Sequence, residues 1–214
     1  MRRTHTLAVL AVATLAAIAA MTEGVAVAVA KPPAAAAAAE GTAAGSPPQV
    51  QSPQDLQASA GAFKQMATVL RHPRCMNCHT VTDFPRQGDD RHRHQQLVMR
   101  GVANMGAPTM QCFACHQAHN THDGRVPGAP NWHLAPLSMG WEDLPTDHAL
   151  CEALKDPSRN GNKDVEHLVE HMTSDALVQW AWSPGTRVPP TLSREDFHRV
   201  VRLWARTGAA CPLE

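Results

Sequence analysis

The 214-residue chain has no tyrosine, 4% aromatic residues and no net formal charge, with 19 Lys+Arg against 19 Asp+Glu. Without a basic excess, electrostatic capture of nucleic acid is excluded as a main role. Few aromatics, together with 17 Pro and 13 Gly, leave the chain short of strand formers, so a large sheet is excluded too. Beyond the N-terminal region no apolar run approaches the about 18 residues of a membrane-crossing helix. What remains is a mainly α fold with long loops and little or no sheet. The length suits one domain with chain to spare, and its core needs material other than side chains.

The N-terminus reads as an export signal. Arg2 and Arg3 make a charged start, Leu7 to Ala20 is apolar, and Ala28-Val29-Ala30 has the small-residue pattern of a cleavage site. The expectation for residues 1–30 is a signal peptide removed after Ala30, which places the mature protein in the periplasm. The competing reading is an uncleaved anchor lengthened by Val25 to Ala30, and only that reading brings the protein to a membrane. Arg2-Arg3 alone does not make a twin-arginine signal. Residues 31–54 are Ala, Pro, Gly and Ser with almost no large apolar group, the composition of a flexible tether. The expected folded domain is 55–214.

Two segments carry the chemistry, Cys75-Met76-Asn77-Cys78-His79 and Cys112-Phe113-Ala114-Cys115-His116. C-x-x-C-H is the attachment signal for a c-type haem. Two thiols three residues apart can each add to one vinyl group of the same porphyrin, and the next residue brings an imidazole beneath the iron. Chance would supply on the order of 0.01 such matches in this composition, and there are two. Zinc is the competing use of paired C-x-x-C. It fits poorly, because 33 residues separate Cys78 from Cys112 and the two adjacent histidines would be coincidence. A redox dithiol would call for a βαβ context that this chain lacks. The expected cofactors are two covalently attached haems held by Cys75, Cys78, His79, Cys112, Cys115 and His116. They would also supply the missing core.

His79 and His116 fill one axial position each. For the other positions the candidates are His72, His92, His94, His119, His122 and His133, with the sulfurs of Met99, Met105, Met110 and Met139. Eight histidines lie between 72 and 133, which favours two bis-His haems. His94 is the choice for the first haem and His133 for the second. Bland uses compete with each. His92 and His94 flank Arg93 in a polar stretch, His133 sits in an apolar run where a carbonyl would satisfy it, and His72 could cap a helix end. Met139 is the best sulfur candidate, and Met ligation would raise the potential.

The rest reads as scaffold. Ser52-Pro53-Gln54-Asp55 opens a helix that carries Leu56, Ala60, Phe63, Ala67 and Leu70 on one face and stops before Pro73. Ser193 with Asp196 opens another, with Phe197, Val200, Val201 and Trp204 on its face and Gly208 as its stop. Shorter helices are expected at 146–155 and 163–173. His167 and His171 stand four apart on the latter and read as an exposed face, having no third ligand nearby. The long loops at 80–110 and 120–145 are expected to fold over the haem faces. Cys151 and Cys211 remain, and in an oxidising compartment they suggest a disulfide, against the alternative of two buried free thiols.

Several stretches resemble a family of exported dihaem cytochromes c often labelled the cytochrome subunit of isoquinoline 1-oxidoreductase, a molybdenum hydroxylase. They are His72-Pro73-Arg74 before the first motif, Gln87-Gly88-Asp89-Asp90 with His94, and Arg100-Gly101. Further on come 127–136, Met139-Gly140-Trp141, 155–161 and Cys211-Pro212. The resemblance covers about 60–213. It implies a small dihaem c-type cytochrome domain that takes electrons from a periplasmic dehydrogenase, hands them to a downstream acceptor, and has no substrate of its own. The alternative is a dihaem enzyme of peroxidase type with one open iron and Glu142 or Asp143 as its acid–base group. A gas sensor is the third reading, and no output domain supports it.

Overall fold

The computed structural model describes residues 51–214. The expected signal at 1–30 and most of the expected tether lie outside them. Ser52 caps the first helix, a little before residue 55, where the folded domain was expected to start. Helix α1 is Pro53–Leu70, with the Ser52 side chain accepting from the Asp55 amide and the Asp55 carboxylate accepting from the Ser52 amide. This reciprocal capping box satisfies two amides that the first turn leaves without partners. Its buried face runs through Ala62, Phe63, Met66, Ala67, Val69 and Leu70. Leu56, expected on that face, is exposed in the first turn.

The other long helix, α7 at Arg194–Arg206, is capped by Ser193 through the Asp196 amide and buries Phe197, Val200, Val201 and Trp204. It packs on α1. Phe63 and Trp204 meet at 5.9 Å between ring centres. The buried Ser59 hydroxyl donates to the Trp204 carbonyl at 2.9 Å and accepts from the Ala210 amide at 2.8 Å. Such a buried hydroxyl is tolerated because both of its roles are filled. Between them in sequence lie α2 (Pro73–Met76), α3 (Asp147–Lys155), α4 (Pro157–Asn160), α5 (Val165–Ser174) and α6 (Ala176–Gln179). Leu150 and Leu154 of α3 and Leu168 and Met172 of α5 close the core.

Cys151 in α3 and Cys211 in the tail beyond α7 form the expected disulfide, with Cα atoms 5.5 Å apart. A loop of this size contributes roughly 4 kcal/mol in the chain-entropy account. His148 adds a ring N–H to the Pro212 carbonyl at 2.8 Å, tying the same tail again.

Among the described residues strand is confined to two tiny antiparallel hairpins, β1 Arg86–Gln87 with β2 His92–Arg93, and β3 Gly106–Ala107 with β4 Met110–Gln111. The mainly α class therefore holds among the described residues. The long segment from 80 to 146 is fixed by buried polar side chains rather than by ladders. Arg100 donates to the carbonyls of Thr80, Thr82 and Ala135 and to the Asn104 side chain. Glu142 accepts from the Thr80 hydroxyl and the Val81 amide, each at 3.0 Å, and from Arg91. Among the described residues no helix is long and apolar enough to cross a membrane.

Candidate functional site

The two C-x-x-C-H segments are built alike. The first runs through α2 and the turn after it, with the His79 amide donating to the Cys75 carbonyl at 3.0 Å. The second starts on the 3-10 turn Cys112–Ala114, with the His116 amide donating to the Cys112 carbonyl at 2.9 Å. One helical turn thus brings each histidine back beneath its own cysteine pair. The four motif cysteines are unpaired, while the remaining two cysteines form the disulfide.

Each motif histidine is held at its Nδ1 edge by a carbonyl from far along the chain. His79 Nδ1 lies 2.8 Å from the Met139 carbonyl, and His116 Nδ1 lies 2.7 Å from the Pro127 carbonyl. A carbonyl only accepts, so each ring carries its proton on Nδ1 and leaves Nε2 bare. That is the tautomer a metal ligand needs, oriented by its outer hydrogen bond. Burial lowers His79 to about 3 and lowers His116 as well, keeping both rings neutral.

A glycine follows each of those carbonyls. A side chain on Gly128 would put its Cβ 2.1 Å from the His119 carbonyl oxygen, and one on Gly140 would meet Val81 at 2.8 Å. Only a bare backbone lets the carbonyl-bearing segment lie this close to its neighbour. A tryptophan then covers each ring. Trp141 stacks on His79 at 3.5 Å and 12° between planes, and Trp132 stacks on His116 at 4.5 Å and 5°. The His–carbonyl–Gly–Trp arrangement occurs twice, and sequence reading missed it. Its trace in the sequence is a Gly after each accepting carbonyl and a Trp shortly beyond, in Met139-Gly140-Trp141 and in 127–132.

Surroundings separate the two. Cys75, Cys78 and His79 open into a cavity of about 290 Å³ walled by Val69, Leu70, Leu168, Met172 and Phe197. Burial pushes the Cys75 thiol up to about 12 and Cys78 up to about 11, with the nearby Cys112 thiol adding to the rise at Cys78. The two motifs are therefore neighbours. Thiols raised in this way are poor nucleophiles, which tells against a redox dithiol. Buried Arg74 faces the same cavity, anchored to the Asp89 carboxylate at 2.6 Å and the Gly88 carbonyl at 2.9 Å, with Nε left without a partner. The second motif is more open. Cys115 is exposed, and Phe113, Met110 and Leu97 are exposed apolar groups of its neighbourhood.

The candidate second ligands fall differently from expectation. His94, expected at the first motif, stands against His116 of the second, 6.1 Å between ring centres and 74° between planes. The reason is the β1–β2 hairpin, which turns the chain so that the His94 amide bonds the Pro85 carbonyl at 3.1 Å. Two imidazoles sharing one metal from opposite sides place their centres about 6 Å apart, from two bonds of roughly 2 Å and about 1 Å within each ring. His94 Nδ1 is buried without a partner, and the ring is lowered by burial and then by the His116 and His92 charges. His133, expected at the second motif, lines the cavity of the first, with its Nδ1 turned to the Asn131 carbonyl.

The other candidates have ordinary partners. His72 caps α2, accepting at Nδ1 from the Arg74 amide, so it serves amides rather than carbonyls. His92 is bound to Asp90 at 2.6 Å, and His119 and His122 are exposed. Met99 and Met110 are exposed and Met105 is half-buried. Met139 is buried on the cavity wall. His167 is exposed and bound to Asp164 at 2.8 Å, as expected, but His171 is not part of that face. It is half-buried, with 36% of its side chain exposed, and lines the cavity on the side of α5 that also carries Leu168 and Met172.

Glu142 does not stand free as an acid. Burial raises its carboxyl, but the Val81 and Thr80 hydrogen bonds and the charges of Arg91 and Arg86 outweigh this and hold it low. Asp143 is exposed. Among the described residues no three His, Cys, Asp or Glu side chains gather as a ligand set for a bare ion. Comparison with protein-family models, with curated proteins and with solved structures found no match.

Proposed function

We propose that the chain is an exported dihaem c-type cytochrome that carries electrons and transforms no substrate itself. The observation that carries this reading is the paired construction of the two motifs. Each offers two thiols one helical turn from an imidazole whose Nε2 is bare and whose Nδ1 is fixed by a carbonyl. A covalently bound haem would supply one-electron chemistry at its iron. Cys75 with Cys78 and Cys112 with Cys115 would hold the two groups, and His79 and His116 would ligate them. His94, whose ring centre lies 6.1 Å from that of His116, would supply a further ligand to the second. A porphyrin brings its own four nitrogens, so two protein ligands suffice. Arg74, with Nε unsatisfied at the cavity wall, suits a carboxylate such as a porphyrin propionate.

In this role the residues do three things. Carbonyls of Met139 and Pro127 fix the rings, burial keeps them neutral, and the tryptophans and cavity walls keep water away. The partners would be a periplasmic dehydrogenase, with a molybdenum hydroxylase as one candidate, and a downstream acceptor. Against the peroxidase reading stand the histidines found near each motif, His94 by the second and His133 and His171 on the cavity of the first, and the committed state of Glu142. The test is an optical and electron paramagnetic resonance spectrum of the mature protein with a reductive titration. Two low-spin haems, both titrating and neither binding carbon monoxide quickly, are expected. A high-spin signal that shifts with peroxide would overturn the carrier reading.

A further inference from the structure

We propose that His171 is the second protein ligand of the first haem, alongside His79, with which it shares the cavity. This rests on the dihaem reading above and names a residue that the sequence assigned to a solvated surface. Four possible ligands face the cavity: His133, His171, Met139 and Met172. Met139 is disfavoured by its own backbone. Its carbonyl holds Nδ1 of His79, which places it at the ring edge away from Nε2. Met172 is packed into the apolar core with 3% exposure. His133 belongs to a segment tied to the other motif, since Trp132 stacks on His116 and the Leu134 amide bonds the Asn104 carbonyl at 2.8 Å. Its Nδ1 turns back to Asn131, two residues earlier.

His171 has the better support. It rides on α5, a helix of 10 residues capped by Asp164, so its ring is delivered by a rigid element. Its Nδ1 lies 3.2 Å from Asp175 Oδ2, which leaves Nε2 bare. Asp175 is itself fixed, because its other oxygen accepts the Leu177 amide at 2.8 Å and caps α6. A carboxylate that orients an imidazole and raises its basicity is the outer partner that metal-bound histidines commonly have. The two sites then differ in one respect that matters electrically: the first has a ligand backed by a carboxylate, and the second has His94 with no such partner.

The test uses the full chain matured with haem. In His171→Ala one of the two low-spin signals should become high-spin, one carbon monoxide should bind per chain, and added imidazole should restore the low-spin signal. His133→Ala should keep both signals low-spin. If His171→Ala folds poorly, His171→Met serves, and it should show the near-infrared sulfur-to-iron band and a higher potential for one haem only. Two unchanged bis-His signals in either His171 variant would overturn the proposal, and so would loss of a low-spin signal in His133→Ala alone. A native protein whose mass shows no haem attached would instead defeat the dihaem reading.

Discussion

At the first motif His79 lies beside α1, α5 and α7, with a cavity before it and Trp141 behind. At the second, His116 lies among loops and hairpins, stacked on Trp132 and near His94, and its motif carries the exposed Phe113 and Cys115. The local device is the same in both, so ligation alone does not distinguish them. What differs is what surrounds the device. Exposure and hydrogen bonding are levers on potential. On the proposed reading the second haem exchanges electrons with partners, and the first is the sheltered store behind it.

Removing each anchor in turn gives the largest contrast. Cys75→Ser with Cys78→Ser takes away what fills the central cavity. It should cost on the order of 5 kcal/mol and broaden unfolding, whereas Cys112→Ser with Cys115→Ser should cost about half as much. Thermal unfolding followed by circular dichroism would show this, and equal losses would break the comparison. Next is the disulfide. Cys151→Ser with Cys211→Ser should cost roughly 4 kcal/mol in denaturant unfolding, because the bridge ties the C-terminal tail to α3, whose Leu154 lines the first cavity. Its effect on the spectrum of the second haem should be negligible.

The glycines come third. Gly128→Ala meets a backbone oxygen that cannot move aside, and should cost about 3 kcal/mol. Gly140→Ala meets the Val81 side chain at 2.8 Å and backbone of Val81 and Thr80 at 3.0 and 3.1 Å, looser than at Gly128, and should cost about 2 kcal/mol. A signal change confined to the second haem in the former and to the first haem in the latter is expected from resonance spectra. The smallest effect is that of acid on the cover of the first site. Glu142 is held below its ordinary value of 4.5, so its contribution is full above that pH. It is lost as pH falls through the lowered value. Glu142→Gln should remove about 1.5 kcal/mol at neutral pH and flatten the decline of stability below about pH 4.5. A decline as steep as in the unaltered protein would show that Glu142 is not the group responsible.

How much was legible depended on the range of each interaction. Ser52 with Asp55 and Ser193 with Asp196 act within one helical turn, so both long helices could be read from their first residues. The apolar face of α7 repeats with the helical period and is buried as read. The motifs carry their spacing in the chain itself, and Cys151 and Cys211 were the two cysteines left over. The ligand partners were not legible. His94 reaches His116 only because a hairpin of two-residue strands turns the chain back, and polar side chains such as Arg100 and Glu142 hold the long loop in place. The place of His171 on the cavity wall depends on how α5 packs. Four-residue spacing with His167 suggested a shared face, but adjacent positions on that stripe meet different neighbours, Asp164 for one and the cavity for the other.

The central claim is that both C-x-x-C-H segments hold haem covalently. Intact-mass measurement of the protein exported by a haem-attaching host, with peptide mapping, tests it most directly. The account predicts a chain carrying two haem groups, one on the peptide with Cys75 and Cys78 and one on the peptide with Cys112 and Cys115. An unmodified chain, with those four cysteines as thiols or as two vicinal disulfides, would contradict it.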